Sequence, residues 1–133
     1  MKRALAIIAL TAATIVAGRA VAQEAKSEKA AATPKVQSWT GEVVDMGCYV
    51  GHGAKGEKHK DCGTKCVANG MPMGLLTKEG KLYLLTMNHD SPDPYNQCKD
   101  WVSQTVEVSG TMATRAGVSA IDVQGAKPAA ATK

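Results

Sequence analysis

Apolar and polar positions alternate along three parts of this chain, and the gaps between them define the rest of its organisation. Residues 38–46 set Trp39, Gly41 and Val43 against Thr40, Glu42 and Val44, the two-residue period of a strand rich in Trp and Val. Residues 73–77 and 81–87 place Leu75-Leu76-Thr77 and Leu82-Tyr83-Leu84-Leu85 on either side of Lys78-Glu79-Gly80, which predicts a hairpin with a glycine-containing turn. A second hairpin is expected from residues 105–112, where Val106, Val108 and Gly110 alternate with Thr105, Glu107 and Ser109. It turns at Arg115-Ala116-Gly117 and returns over 118–123. Between the hairpins, Asp93 is placed to cap a short helix with Pro94 at its first position, burying Tyr95, Cys98, Trp101 and Val102. Between the first strand and the first hairpin, Gly51, Gly53 and Gly56 argue against helix over 47–58. A short helix is expected from His59, stopped at Asn69-Gly70 with Pro72 beyond.

The patterning fades at both ends. Residues 1–22 open on Lys2 and Arg3, continue as an apolar run and finish Ala20-Val21-Ala22 before Gln23, the features of a secretory signal peptide. The apolar run is too short and too rich in Ala and Thr for a membrane span. No cysteine stands at the cleavage point to carry a lipid. The expectation is a periplasmic or secreted protein without stable membrane insertion. Residues 23–35 lack an apolar stripe and read as a disordered leader, and 126–133 as a disordered tail. One domain, over 36–125, remains.

One strand, a hairpin, a short helix and a second hairpin follow one another in the order of a five-stranded OB barrel. On the segments GEVVD, GLLTKEGKLYLL and VEVSGT with IDV, residues 39–124 resemble the small bacterial exported OB-fold-like domains. The fold class expected is therefore mainly β, a small OB-like barrel with one or two short helices and a Cys/His-rich insert after the first strand. An SH3-like barrel or another small β-roll is the alternative. The resemblance implies that the insert fills the loop between strands one and two, which OB folds commonly use for binding.

Charge removes one class of partner. The chain has 16 Lys and Arg against 12 Asp and Glu, and Lys2, Arg3 and Arg19 leave with the signal, so 13 face 12. With no Phe and few other aromatics, the stacking platform and basic groove of a nucleic-acid-binding barrel are missing, and no nucleic acid is expected.

The insert holds the chemistry. Cys48, His52, His59, Cys62 and Cys66 follow the spacing C-x3-H-x6-H-x2-C-x3-C. In a helix from His59, Cys62 and Cys66 lie one turn apart with His59 on the same side. Cys48 and His52 would come from the glycine-rich loop. Thiolates with imidazoles suit copper or zinc, and the thioethers of Met71 and Met73 lean the choice towards Cu(I). The Cys-x3-Cys pair is similar to the ligand spacing of the Sco-type copper chaperones, although no parallel β-α-β pattern surrounds it. The first functional reading is an exported small binding protein whose insert binds a soft metal ion.

A second reading uses the same cysteines as staples. An export compartment oxidises thiols, and four cysteines pair into two disulfides. A bridge within one helix constrains little, so Cys98 is expected with Cys62 or Cys66 and Cys48 with the other. Each bridge would contribute roughly 2–4 kcal/mol. The function would then be a disulfide-stapled β-barrel binding module for a protein or small ligand, without metal or catalysis. A thiol–disulfide partner is the third reading, weakened by the lack of C-x-x-C. The lack of C-x-x-C-H argues against haem. His89-Asp90-Ser91 are neighbours in a turn rather than a triad, and no hydrolase or phosphate-loop motif is present, so nothing calls for an enzyme.

Overall fold

The computed structural model describes residues 35–130, so the expected signal peptide and nearly all of the leader lie outside the described residues. Five strands, β1 (Gln37–Asp45), β2 (Met73–Thr77), β3 (Leu82–Met87), β4 (Thr105–Arg115) and β5 (Val118–Pro128), form one sheet. Hydrogen bonding runs β1-β2-β3-β5-β4, and β4 pairs back onto β1, so the sheet closes on itself. All pairings are antiparallel except β3 with β5, which is parallel. The chain is mainly β, with its insert after the first strand as the alternation predicts.

The two-residue period sends Val43, Leu75, Leu85, Val106, Val108, Ile121 and Val123 inside, all 0–2 % exposed. Each such side chain, fully buried, contributes about 1.5–3 kcal/mol. Trp39 and Tyr83 pack against this core with their rings 6.0 Å apart. Strands β1 and β2 approach closely because Gly41 has no side chain: a Cβ there would lie 2.6 Å from the Leu76 carbonyl oxygen.

Three helices decorate the sheet. Helix α1 (Met46–His52) and α2 (Lys60–Ala68), with a 3-10 turn at Glu57–His59, form the insert between β1 and β2. Helix α3 (Asp93–Cys98) lies between β3 and β4, packs on both β3 and β5, and buries Cys98. Among the described residues, no helix is long and apolar enough to cross a membrane.

Three expectations are corrected. Residues 46–52 are helical despite two glycines, because Asp45 caps the start and Gly53 closes the end at φ 69°. Helix α3 takes Pro92, not Asp93, as its N-cap residue, which moves Pro94 into the second helical position. Strand β5 continues to Pro128 instead of ending near 123, since Ala126 and Lys127 pair with Val108 and Glu107. Weak alternation there hid a strand that the facing chain holds in place.

Candidate metal centre

The site begins where β1 stops. Asp45 is its last residue, in extended conformation, and its Oδ1 accepts the Cys48 N–H at 2.9 Å. That bond starts α1 and fixes Cys48 in its first turn. Leaving α1, Gly53 donates its N–H back to the Tyr49 carbonyl at 2.8 Å, and the chain turns through Gly56. The Glu42 carboxylate accepts the Gly56 N–H and ties this loop to β1.

Helix α2 then runs back over the end of the sheet. It buries Val67 and lays Gly63 against Val102, so Cys62 and Cys66 stay on the side facing α1. Past its end, Met71 donates its N–H to the Cys66 carbonyl at 3.0 Å, and Met46 donates to the Pro72 carbonyl at 2.9 Å. Backbone hydrogen bonds thereby hold both helices at one seam.

Across that seam the sulfurs of Cys48, Cys62 and Cys66 lie within 4.8 Å of one another. Ligand atoms of Asp45, Cys48 and His59 form a second group within the same limit, so Cys48 belongs to both. His59 Nε2 sits 2.8 Å from Asp45 Oδ2. Together Cys48, Cys62, Cys66, His59 and Asp45 form a group able to hold a metal ion.

Electrostatics show what such a group needs. Asp45 is fully buried, and burial alone would raise its carboxyl. The Cys48 N–H and His59 outweigh it, so Asp45 is held below its ordinary value and stays ionised. The thiols move the other way. Desolvation, then the Asp45 charge and the other two sulfurs, push Cys48 up to about 11. Desolvation and the neighbouring Cys62 also raise Cys66. Cys48 and Cys66, near a carboxylate, keep their protons until a cation arrives to share their charge. A raised thiol is also a poor resting nucleophile, which argues against reading Cys48, His59 and Asp45 as a catalytic triad.

The structure places the sequence candidates unevenly. Cys48, Cys62 and Cys66 meet, and His59 joins through Cys48 and Asp45. His52 does not: it is the exposed last residue of α1 and belongs to neither group. Cys98 belongs to neither group as well; it is fully buried in the core, and its sulfur donates to the Pro94 carbonyl at 3.3 Å. All four cysteines are unbridged, so the expected pairing of Cys98 with Cys62 or Cys66 is not formed. Met73 fills the core at 0 % exposure and cannot reach an ion there, whereas Met71 stays 38 % exposed with its thioether over Gly47.

Comparison with protein-family models, with curated proteins and with solved structures gave no match to this chain. Its function has to be argued from the site.

Asp45 is the residue that pattern reading missed, because it was absorbed into the strand. The signal was present: an aspartate directly before a short segment that closes on a glycine is an N-cap signature.

Proposed function

We propose that this is an exported small binding protein, built on an OB-like barrel, whose insert between the first two strands binds one Cu(I) ion through Cys48, Cys62 and Cys66. The observation that carries this reading is the convergence of three sulfurs within 4.8 Å of one another at the α1/α2 seam. Soft thiolates favour Cu(I), which is satisfied by three of them, while structural zinc takes four ligands. His59, which shares a group with Cys48, already has Nε2 engaged by the Asp45 carboxylate. In this reading Asp45 and His59 support the ion from one side: Asp45 fixes Cys48 through its N–H and orients the imidazole. Cys62 is exposed, which leaves the ion open to exchange with a donor or acceptor protein. The signal-like features of residues 1–22 support export, and the strand–hairpin–helix–hairpin order supports the OB-like description.

Zinc is the second reading, favoured by His59 lying beside Cys48. Completing a four-ligand site then requires His59 to offer its other ring nitrogen, Nδ1.

The test is anaerobic titration of the reduced protein with Cu(I) in competition with a chromophoric chelator, and in parallel with Zn(II). One tightly held Cu(I), lost in Cys66→Ser and with three Cu–S scatterers by X-ray absorption, is the expected result. A reduced, folded protein that holds neither ion ends the metal reading.

A further inference from the structure

The same three sulfurs outnumber what a disulfide needs, and their placement distinguishes them. Cys62 is exposed, while Cys48 and Cys66 are each half-buried at the seam. Cys62 and Cys66 lie one turn apart on α2, whereas Cys48 is brought to them from α1. Cys98, in the core, is out of the exchange altogether.

A bridge between Cys62 and Cys66 would join consecutive turns of a formed helix, where side-chain rotamers are restricted and the backbone cannot adjust. A bridge from Cys48 has more freedom. It joins two short helices separated by a glycine-rich loop in which Gly53 and Gly56 already adopt positive φ. It also closes a loop through residues 49–65 and so removes freedom from the unfolded chain, which the one-turn bridge does not.

We infer that the metal-free trio is a disulfide-exchange site, in which oxidation enters at Cys62 and ends as a bridge between Cys48 and Cys66. The oxidant is a small disulfide, RS–SR. The Cys62 sulfur attacks it, forming a mixed disulfide and releasing one RSH. Cys48, across the seam, attacks the Cys62 sulfur and expels the second RSH. Cys66 then attacks the Cys48 sulfur and returns Cys62 to the thiol. In total two protein thiols give two electrons and two protons to RS–SR, leaving one protein disulfide and two RSH. The bridge uses two of the three sulfurs proposed for the ion, so the oxidised protein releases it. This last consequence rests on the metal reading above; the bridge itself does not.

The experiment uses the full folded domain, metal-free and reduced, incubated with oxidised glutathione, quenched in acid, alkylated and mapped by peptide mass. The expected product links Cys48 to Cys66, with Cys62 alkylated in the folded protein and Cys98 only after unfolding. Cys62→Ser is expected to reach the same bridge at least several-fold more slowly, having lost the entry thiol. A final product linking Cys62 to Cys66, or three thiols that stay reduced at every glutathione concentration, overturns the inference. A second measurement separates the two readings: Cu(I) retention before and after oxidation. A fall of tenfold or more supports both, and full retention by the bridged protein overturns the release step alone. If the reduced protein holds no ion yet still forms the bridge, the metal reading falls and the exchange site stands.

Discussion

Gly63 lies against Val102 so closely that a methyl group on it would sit 2.9 Å from Val102 Cγ1 and 3.3 Å from His59 Cδ2. Alanine is normally the better helix former by about 1 kcal/mol. Here Gly63→Ala is expected to reverse that sign and destabilise the domain by roughly 1–2 kcal/mol through overpacking. It should also weaken ion binding, because the same methyl crowds the imidazole. Urea unfolding and Cu(I) competition on one sample read both effects; a stabilised variant would show that α2 can lift from the sheet at no cost.

Asp45 separates capping from charge. Asp45→Asn retains an oxygen for the Cys48 N–H but removes the carboxylate that faces His59, while Asp45→Ala removes both and should cost about 2 kcal/mol or more. The pH dependence follows from the lowered carboxyl. Asp45 binds its proton more readily in the unfolded chain than in the folded one, so its stabilisation is present above the ordinary value of 3.8 and is lost as pH falls below it. Stability curves between pH 5 and 2 should therefore be shallower in Asp45→Asn than in the parent.

At the alkaline end Cys98 takes over. Burial pushes its thiol from 9.0 to about 11. Above pH 9 the unfolded chain loses this proton while the folded one keeps it, so the stability associated with Cys98 declines between about pH 9 and 11. The slope of Tm against pH over that window should flatten in Cys98→Ala, whatever the mutation does to the absolute Tm. An unchanged slope would assign the alkaline loss to the other thiols.

Ala116 has φ 48° and Gly117 φ 82°, in the two-residue turn joining β4 and β5. Positive φ at both turn positions suits Asn-Gly or Gly-Gly, and alanine there is strained. Ala116→Asn or Ala116→Gly is expected to stabilise by about 0.5–1 kcal/mol, read as a rise in Tm with ion binding untouched.

The two insert histidines should behave differently. His52→Ala, at the exposed end of α1, is expected to leave Cu(I) affinity unchanged. His59→Ala removes the partner of a fully buried carboxylate and should lower both stability and affinity, the latter by about tenfold as for other supporting residues at metal sites. Equal effects from the two substitutions would contradict the geometry.

The strands and hairpins were legible because one face of each is buried, so burial writes itself into the alternation of Val43, Leu75, Val106 and Val108. The cysteine trio was legible from spacing, since Cys62 and Cys66 share one helix and Cys48 precedes it by a short loop. What spacing could not decide was orientation. His52 and His59 look equivalent in the sequence, and only the cap at Asp45 and the turn at Glu57–His59 send one inward and leave the other outside. Cys98 lies on the buried helix face that the pattern predicts, but a bridge does not follow from burial: an apolar helix face can carry a cysteine as an ordinary small core residue, and this one is unbridged. Helix α1 escaped because glycine content outweighs everything else in a propensity argument, while two end caps decided the outcome.

The ring closure of the sheet has a consequence for how another protein can approach it. An open sheet presents an edge whose unpaired backbone groups can seed aggregation or accept a strand from another protein. Here β4 returns to β1, and that edge is taken. Over residues 105–110 a visiting protein cannot extend β4 and must meet side chains instead; the outer part of the β4–β5 hairpin, from Thr111 to Arg115 on β4, pairs on one side. The domain can therefore carry its cysteine seam at the end of the barrel while the strands that support it keep their backbone groups paired to one another.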